Sequence, residues 1–195
     1  MLAATIQRLA TERKRPILVA LDGGSGAGKS TIAAQLKSEL AAAVIPLDDF
    51  FSGNISDHQW DEFTVEEKLK NVFDWERVRK AVIKPLLNRC SAHWHAFDFQ
   101  SGLQADGTYK MEVEPKLIQP APIILLEGAY SASPQLTDLV DMAVLVDVPM
   151  EERHTRLARR EDPEFLKNWH ERWDEVESYY FEQVRPKESF DIVTK

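Results

Sequence analysis

One eight-residue stretch constrains this chain more than any other. Gly23-Gly24-Ser25-Gly26-Ala27-Gly28-Lys29-Ser30 satisfies the pattern G-x-x-x-x-G-K-[ST]. Ile17 to Leu21, just before it, is an apolar run rich in branched residues, the pattern of a strand buried on both faces. Ser30 to Ala43, just after it, reads as an alanine-rich helix with Ile32, Leu36 and Leu40 on one stripe. In that context the glycines let the backbone turn tightly, so that successive N–H groups converge on phosphate oxygens. The helix N-terminus adds partial positive charge. Lys29 is placed to reach β- and γ-phosphates, and Ser30 to ligate Mg²⁺. A glycine turn that bound nothing would not need Lys-Ser at that position.

The remaining pattern repeats the alternation of strand and helix. Val44 to Leu47, Ile123 to Leu126, Ala143 to Val148 and Phe190 to Val193 read as strands. Together they predict an α/β three-layer fold, a parallel sheet with helices on both faces. A length of 195 residues suits a single domain over 1–195. Asp74 is placed to cap a helix carrying Trp75, Val78 and Val82, which Pro85 should kink or restart. His93 to Phe99 and Tyr109 to Val113 are short strand candidates around Gly102 and Gly107, a hairpin-like excursion over 93–113. Ser133-Pro134 marks a helix start. Met150 to Glu161 reads as a basic helix and Asp162-Pro163-Glu164 as the start of a long one. On that long helix Phe165, Trp169, Trp173, Val176 and Tyr180 form one stripe, read as core packing.

Charge and composition narrow the function. The formal net charge is −8, which argues against nucleic acid as a partner. Cys90 is the sole cysteine, so no internal disulfide can form, as in a reducing compartment. Met1 to Arg15 lacks the apolar core of a signal peptide, and no apolar run is long enough to span a bilayer. The expectation is a cytoplasmic protein with no membrane partner; a homo-oligomer stays open.

Three strands end in an acid: Asp22, Asp48 and Glu127. Strand carboxyl ends are where open α/β sheets collect their function. Glu127, delivered beside Gly128, can hold Mg²⁺ directly or through water. Asp48 suits a base that takes the proton from an acceptor hydroxyl; Asp49 should point away. Arg153, Arg156 and Arg160 share a helix face with Arg159 beside it, the local positive charge that an acidic chain needs in order to hold ATP. His93 and His95 fall on one strand face with Phe97 and Phe99, too few ligands for a zinc site and expected at most in a substrate pocket.

These residues resemble the uridine kinase and phosphoribulokinase family of P-loop kinases. The likeness runs in order through Gly23 to Ser30, Leu47-Asp48-Asp49-Phe50-Phe51, Asn71-Val72-Phe73-Asp74, Phe97-Asp98-Phe99, Leu126-Glu127-Gly128 and Arg156 to Arg160. It implies a five-stranded parallel sheet of the nucleoside-kinase-like type and a short helical lid, here 150–165. Its implied nucleotide set is Gly23, Gly24, Ser25, Gly26, Ala27, Gly28, Lys29, Ser30 and Thr31 with Arg159. Its implied Mg²⁺ positions are Ser30, Glu127 and Asp48. Asp48, Lys29, Arg156 and Arg160 would act in the transfer. Asp74 would hold acceptor hydroxyls, and Phe51, Phe97 and Glu127 would lie near the acceptor. Two departures stand out. Uridine kinases usually carry tyrosine at the Phe51 position, and a histidine and an arginine where Gln100-Ser101-Gly102 follow here. The implied activity is ATP-dependent phosphorylation of a small molecule's hydroxyl, a uridine- or cytidine-like nucleoside or a related metabolite. Pantothenate, a sugar or a polyol are alternative acceptors within the family. An NTP-hydrolysing switch or assembly factor and a nucleoside monophosphate kinase are the rival classes.

Overall fold

A computed structural model describes all residues, 1–195. In chain order it holds α1 (Leu2–Arg13), β1 (Ile17–Asp22), α2 (Lys29–Leu40) and β2 (Ala43–Pro46), then a 3₁₀ turn over Leu47–Phe50. Next come α3 (Asp57–Glu62), α4 (Val65–Asn71), α5 (Trp75–Arg77), α6 (Lys84–Leu87), β3 (Ala92–Trp94) and β4 (Lys116–Ile118). The chain closes with β5 (Ile123–Glu127), β6 (Met142–Val146), α7 (Met150–Leu157), α8 (Pro163–Tyr179) and β7 (Ile192–Thr194).

The five-stranded sheet has the order β2-β5-β1-β6-β7. Every pairing in it is parallel. All six residues of β1 are buried, as a strand covered on both faces requires. Alternation divides them. Ile17, Val19 and Leu21 pack with Ile6, Ala33 and Leu36 on the α1–α2 side. Leu18 joins Ile45, Phe50, Val82, Trp173 and Tyr180 on the other side, the larger core. The predicted three-layer α/β architecture is therefore the one observed, and no helix is long and apolar enough to cross a membrane.

Local structure departs from expectation in ways that have physical causes. Asp74 caps its helix, accepting from the Arg77 amide at 3.0 Å. Pro85 does restart the helix, as expected: the chain passes through a π-helical turn, Val78–Ile83, Lys84 donates to the Arg79 carbonyl five residues back, and Pro85 falls in the first turn of α6. The slack absorbs the proline ring and its missing donor. In the 93–113 segment, β3 pairs antiparallel with β4 rather than with Tyr109–Val113, which keeps only isolated bridges, Phe97 with Met111 and Leu103 with Tyr109. Because regular pairing stops at Trp94, His93 and His95 are exposed while Phe97 is buried, so the four do not share a face. The basic helix ends at Leu157, short of the predicted Glu161, and α8 starts from Asp162, whose side chain accepts from the Glu164 and Phe165 amides.

At the carboxyl end of β1, Asp22 is fully buried and accepts four hydrogen bonds. They come from the amides of Gly23 (2.7 Å), Tyr130 (2.8 Å) and Ala132 (2.9 Å) and the Tyr180 hydroxyl (2.7 Å). Burial pushes this carboxyl up, and the donated bonds pull against it. Tyr180→Phe leaves one Asp22 oxygen short of a donor with the ring packing retained. We expect a loss of roughly 1–3 kcal/mol in urea unfolding, with an unchanged far-UV spectrum.

Candidate active site

The glycine loop between β1 and α2 closes one end of a cleft of about 560 Å³. Gly28 holds φ +97°, a left-handed conformation that glycine adopts without cost, and so swings Lys29 into the first turn of α2. Lys29 is 8% exposed, and its ammonium donates to the carbonyls of Gly23 at 2.8 Å and Gly24 at 3.0 Å. Ser25, Gly26, Gly28, Lys29, Ser30 and Thr31 line the cleft, whereas Gly23, Gly24 and Ala27 form the buried wall behind them.

The three strand-end acids have different fates. Asp22 lies under the loop and outside the cleft, in the network described above. Glu127 ends β5 beside the cleft, where the Ser30 hydroxyl lies 3.2 Å from each of its carboxylate oxygens. Asp48 sits in the 3₁₀ turn just past β2, open to the same cleft. Asp49 turns into the core, accepting from Trp94 Nε1 at 2.8 Å and from Lys116 Nζ at 2.7 Å. Burial and then the Asp48 charge push Glu127 above the usual carboxylate range. Burial raises Asp48 too, with Lys29 opposing and Asp49 adding to the rise. Unlike Asp22, Asp48 is exposed, on the cleft. Ser30, Glu127 and Asp48 are hard oxygen donors, a set that fits Mg²⁺.

The α7 arginines divide their labour. Arg153 is buried and structural: its guanidinium donates to Glu177 Oε2 (2.7 Å), the Ser25 carbonyl (2.9 Å) and the Val148 carbonyl (3.1 Å). Glu177 Oε1 accepts from the Ser25 amide at 2.8 Å. The pair packs so closely on Gly24 that a Cβ there would lie 2.3 Å from Arg153 Cζ. Arg156 lines the cleft and donates to the Ala27 carbonyl at 3.0 Å. Arg160 lines it too, paired to Glu161 at 2.9 Å. Arg159 is exposed and outside it.

Aromatic side chains make the far wall. Phe51 lines the cleft together with Phe99, Phe165 and Trp169. Its ring is 5.5 Å from Trp173 and 5.3 Å from Phe97. The Phe165–Trp173 stripe is thus half core and half wall: Trp173 is 3% exposed, Phe165 47%. Phe97 opens instead on a neighbouring cavity of about 660 Å³. Asp74 lies on another of about 590 Å³, on the far side of Phe51 and Phe73. The structure therefore brings Asp48, Phe51 and Glu127 to the glycine loop and leaves Asp74 and Phe97 one ring away. His93 and His95 reach none of these cavities.

Sequence reasoning missed Glu177 and gave Arg153 no separate role. Their shared loop partner, Ser25, lies 152 and 128 residues away, and the only local signal was an acid interrupting the apolar side of α8.

A sequence profile of the phosphoribulokinase / uridine kinase family matches residues 18–162. The chain belongs to that family. It is similar to a uridine kinase of Clostridium botulinum (strain Langeland), 28% identical over 193 residues, covering 89% of this chain and 80% of that one. It is also similar to a uridine kinase of Halobacterium salinarum, 26% identical over 147 residues, spanning 73% of this chain but only 61% of the relative. Among solved structures, that of a possible uridine kinase from Bacillus stearothermophilus superposes with a TM-score of 0.68 at 18% identity, covering 100% and 99% of the two chains. A putative fructose transport system kinase from Silicibacter matches with the same score at 22% identity and the same coverage. At these identities the structural likeness establishes the fold; the family match places the chain among P-loop phosphotransferases.

The Arg153–Glu177 pair is 8% and 3% exposed at its side chains, so removing one partner strands a buried charge. Arg153→Ala should lower unfolding free energy by about 3–5 kcal/mol. Arg160→Ala, at an exposed pair, should change it by under about 0.5 kcal/mol. Urea titration of both variants checks the contrast.

Proposed function

We propose that this chain transfers the γ-phosphoryl group of ATP to a hydroxyl of a small molecule, a uridine- or cytidine-like nucleoside or a related metabolite. One observation carries the reading: Asp48 opens onto the cleft that the glycine loop, Lys29 and Glu127 share, while its neighbour Asp49 is locked into the core. A hydroxyl acceptor must lose its proton as it attacks, and a carboxylate in the cleft is placed to take it. The acceptor oxygen then bonds to the γ-phosphorus as the bond to the β,γ-bridging oxygen breaks, and ADP leaves. Lys29, Arg156 and Arg160 offset charge on the transferring group. Mg²⁺, when bound at Ser30 and the two carboxylates, supplies further charge neutralisation of the phosphates. Arg159 would join only if the 150–165 segment closed as a lid over the nucleotide.

The wall favours a flat acceptor. Phe165 and Trp169 stack at 5.7 Å on one side, and Phe99 stands 49% exposed from the 93–113 excursion. Such exposed faces suit a base ring. Asp74 could hold ribose hydroxyls only if the acceptor passed Phe51 and Phe73.

A second acceptor class, a sugar or polyol, is favoured by the turn after Phe99. Asp98 accepts from the amides of Gln100 (3.1 Å) and Ser101 (2.9 Å) and from the Ser101 hydroxyl (2.6 Å). The turn is closed on itself and offers no imidazole or guanidinium to read a pyrimidine. Acceptor-dependent ADP release with uridine, cytidine, pantothenate and simple sugars decides between the classes. No acceptor-dependent release above basal hydrolysis, for any of them, would instead favour a nucleotide-hydrolysing switch.

With the acceptor so found, Asp48→Asn should lower kcat by about 10²–10⁴-fold while ATP binding stays near wild type. Lys29→Ala should abolish turnover in a folded protein. The raised Asp48 carboxyl predicts a pH profile that rises with pH, its acid limb above the ordinary aspartate value and absent from the residual rate of Asp48→Asn. Stability should run the other way. A carboxyl whose folded-state pKa is raised binds protons more readily when folded, so it weakens the fold as pH climbs past the unfolded value. Asp48→Asn should therefore melt higher than wild type at neutral pH, and the gap should close on acidification; calorimetry across pH tests this.

A further inference from the structure

Two histidines and an aspartate, unused by the phosphoryl-transfer reading, meet where α7 crosses α8. His154 comes from α7, and His170 and Asp174 lie one turn apart on α8. Their ligand atoms all fall within 4.8 Å of one another. His170 Nδ1 is 3.0 Å from Asp174 Oδ1, and His154 Nε2 is 3.3 Å from Asp174 Oδ2. The imidazole centroids are 3.9 Å apart. His154 Nε2 is sealed from water and has no hydrogen-bond partner, despite its approach to Asp174. A nitrogen so close to a carboxylate oxygen, yet not aligned on it, is what two ligands facing a common point present. Leaving such an atom unpaired otherwise costs free energy.

We propose that His154, His170 and Asp174 form a binding site for a transition-metal dication, Zn²⁺ by its chemistry, that clasps α7 to α8. Zinc takes imidazole nitrogen and carboxylate oxygen at about 2.0–2.1 Å in tetrahedral geometry, which separates neighbouring ligand atoms by about 3.3 Å. Each imidazole nitrogen already stands near that value from an Asp174 oxygen, His170 from Oδ1 and His154 from Oδ2. Bringing both nitrogens onto one shared oxygen takes rotation of the carboxylate and of the two imidazoles, whose side chains remain 32% and 25% exposed and so have room to move. Three protein ligands leave a fourth position for water, and two nitrogens in the set select against Mg²⁺. The clasp sits directly beside the Arg153–Glu177 pair: His154 follows Arg153 in the chain, and Glu177 lies three residues past Asp174 on α8. A filled site would fix from outside the same helix crossing that the buried ion pair fixes from within, and through Arg153 the Ser25 wall of the glycine loop.

The site is separate from the Ser30–Glu127 position, so its test does not depend on kinase activity. The full chain, freed of metal with EDTA and held in millimolar Mg²⁺, is titrated with Zn²⁺ by calorimetry and with Co²⁺ by visible absorption. We expect one saturable site per chain, cobalt bands of low-coordinate N/O ligation and a raised melting temperature. His154→Ala and Asp174→Asn, on different helices and each verified as folded by far-UV dichroism, should each weaken binding by about tenfold or more. His58→Ala, on a distant exposed helix, should leave it unchanged. Absence of saturable Zn²⁺ binding in wild type, or binding that survives both cluster variants, overturns the proposal.

Discussion

The buried carboxylate of Asp22 is the constraint around which the working end of this protein is assembled. It stands at the carboxyl end of the central strand β1 and gathers donors from three separate chain segments: the first glycine of the loop, the turn after β5 and the aromatic end of α8. A fully buried carboxylate persists only if its lone pairs are taken, so each segment must arrive in register. One consequence is visible in the backbone. Tyr130 sits at φ +66°, a left-handed conformation that a tyrosine rarely holds, with its amide fixed on Asp22. That turn presents Glu127 to the cleft, and the same network anchors the start of the glycine loop. Glu127 and the glycine loop are thus positioned by one group that lies outside the cleft.

The second brace works from the opposite side. Glu177 and Arg153 hold the Ser25 amide and carbonyl, so both polar faces of that peptide are satisfied without a phosphate. Lys29 does the equivalent for the carbonyls of Gly23 and Gly24. The Ser25 peptide is thereby fixed from behind, whereas the amides of Gly26, Gly28, Lys29 and Ser30 have no partner within the protein and are the donors a phosphate would take.

How much of this was legible in the sequence depends on the range of each interaction. Strands, the glycine loop and the Asp162 cap follow from neighbours within a few residues, and these were read closely. Asp22, Asp48 and Glu127 share one local pattern, an acid at the end of an apolar run, yet one is a buried hub and two face the cleft. What separates them is Tyr130 and Tyr180, residues 108 and 158 positions from Asp22. That Asp48 and Asp49 diverge was readable, but not which of them faces the cleft: Asp49 is fixed in the core by Trp94 and Lys116, 45 and 67 residues away. The partner of β3 was not: Tyr109–Val113 and Lys116–Ile118 are both plausible short strands, and the first is instead taken up by the carbonyls of Gly53, Gly102 and Ala96. The aromatic stripe of α8 likewise has a helical period that fixes which residues align, but not where the core stops and the cleft begins.

The electrostatics of the cleft bear on the order in which its ligands arrive. Asp48, Glu127, Glu161 and Glu177 line it against Lys29, Arg156 and Arg160. All three of those cations are already committed to loop carbonyls or carboxylates, Lys29 at Gly23 and Gly24, Arg156 at Ala27 and Glu152, and Arg160 at Glu161. A bare polyphosphate would meet uncompensated carboxylates, and a bare dication would find only two of them, partly disfavoured as anions by burial. In the proposed reaction, nucleotide and dication presented together would offset each other's penalty: Lys29, Arg156 and Arg160 would turn to the phosphates, and ionised Asp48 and Glu127 would cost less beside a cation. In that reaction, balancing the charge would keep Asp48 a carboxylate, the protonation state a base requires.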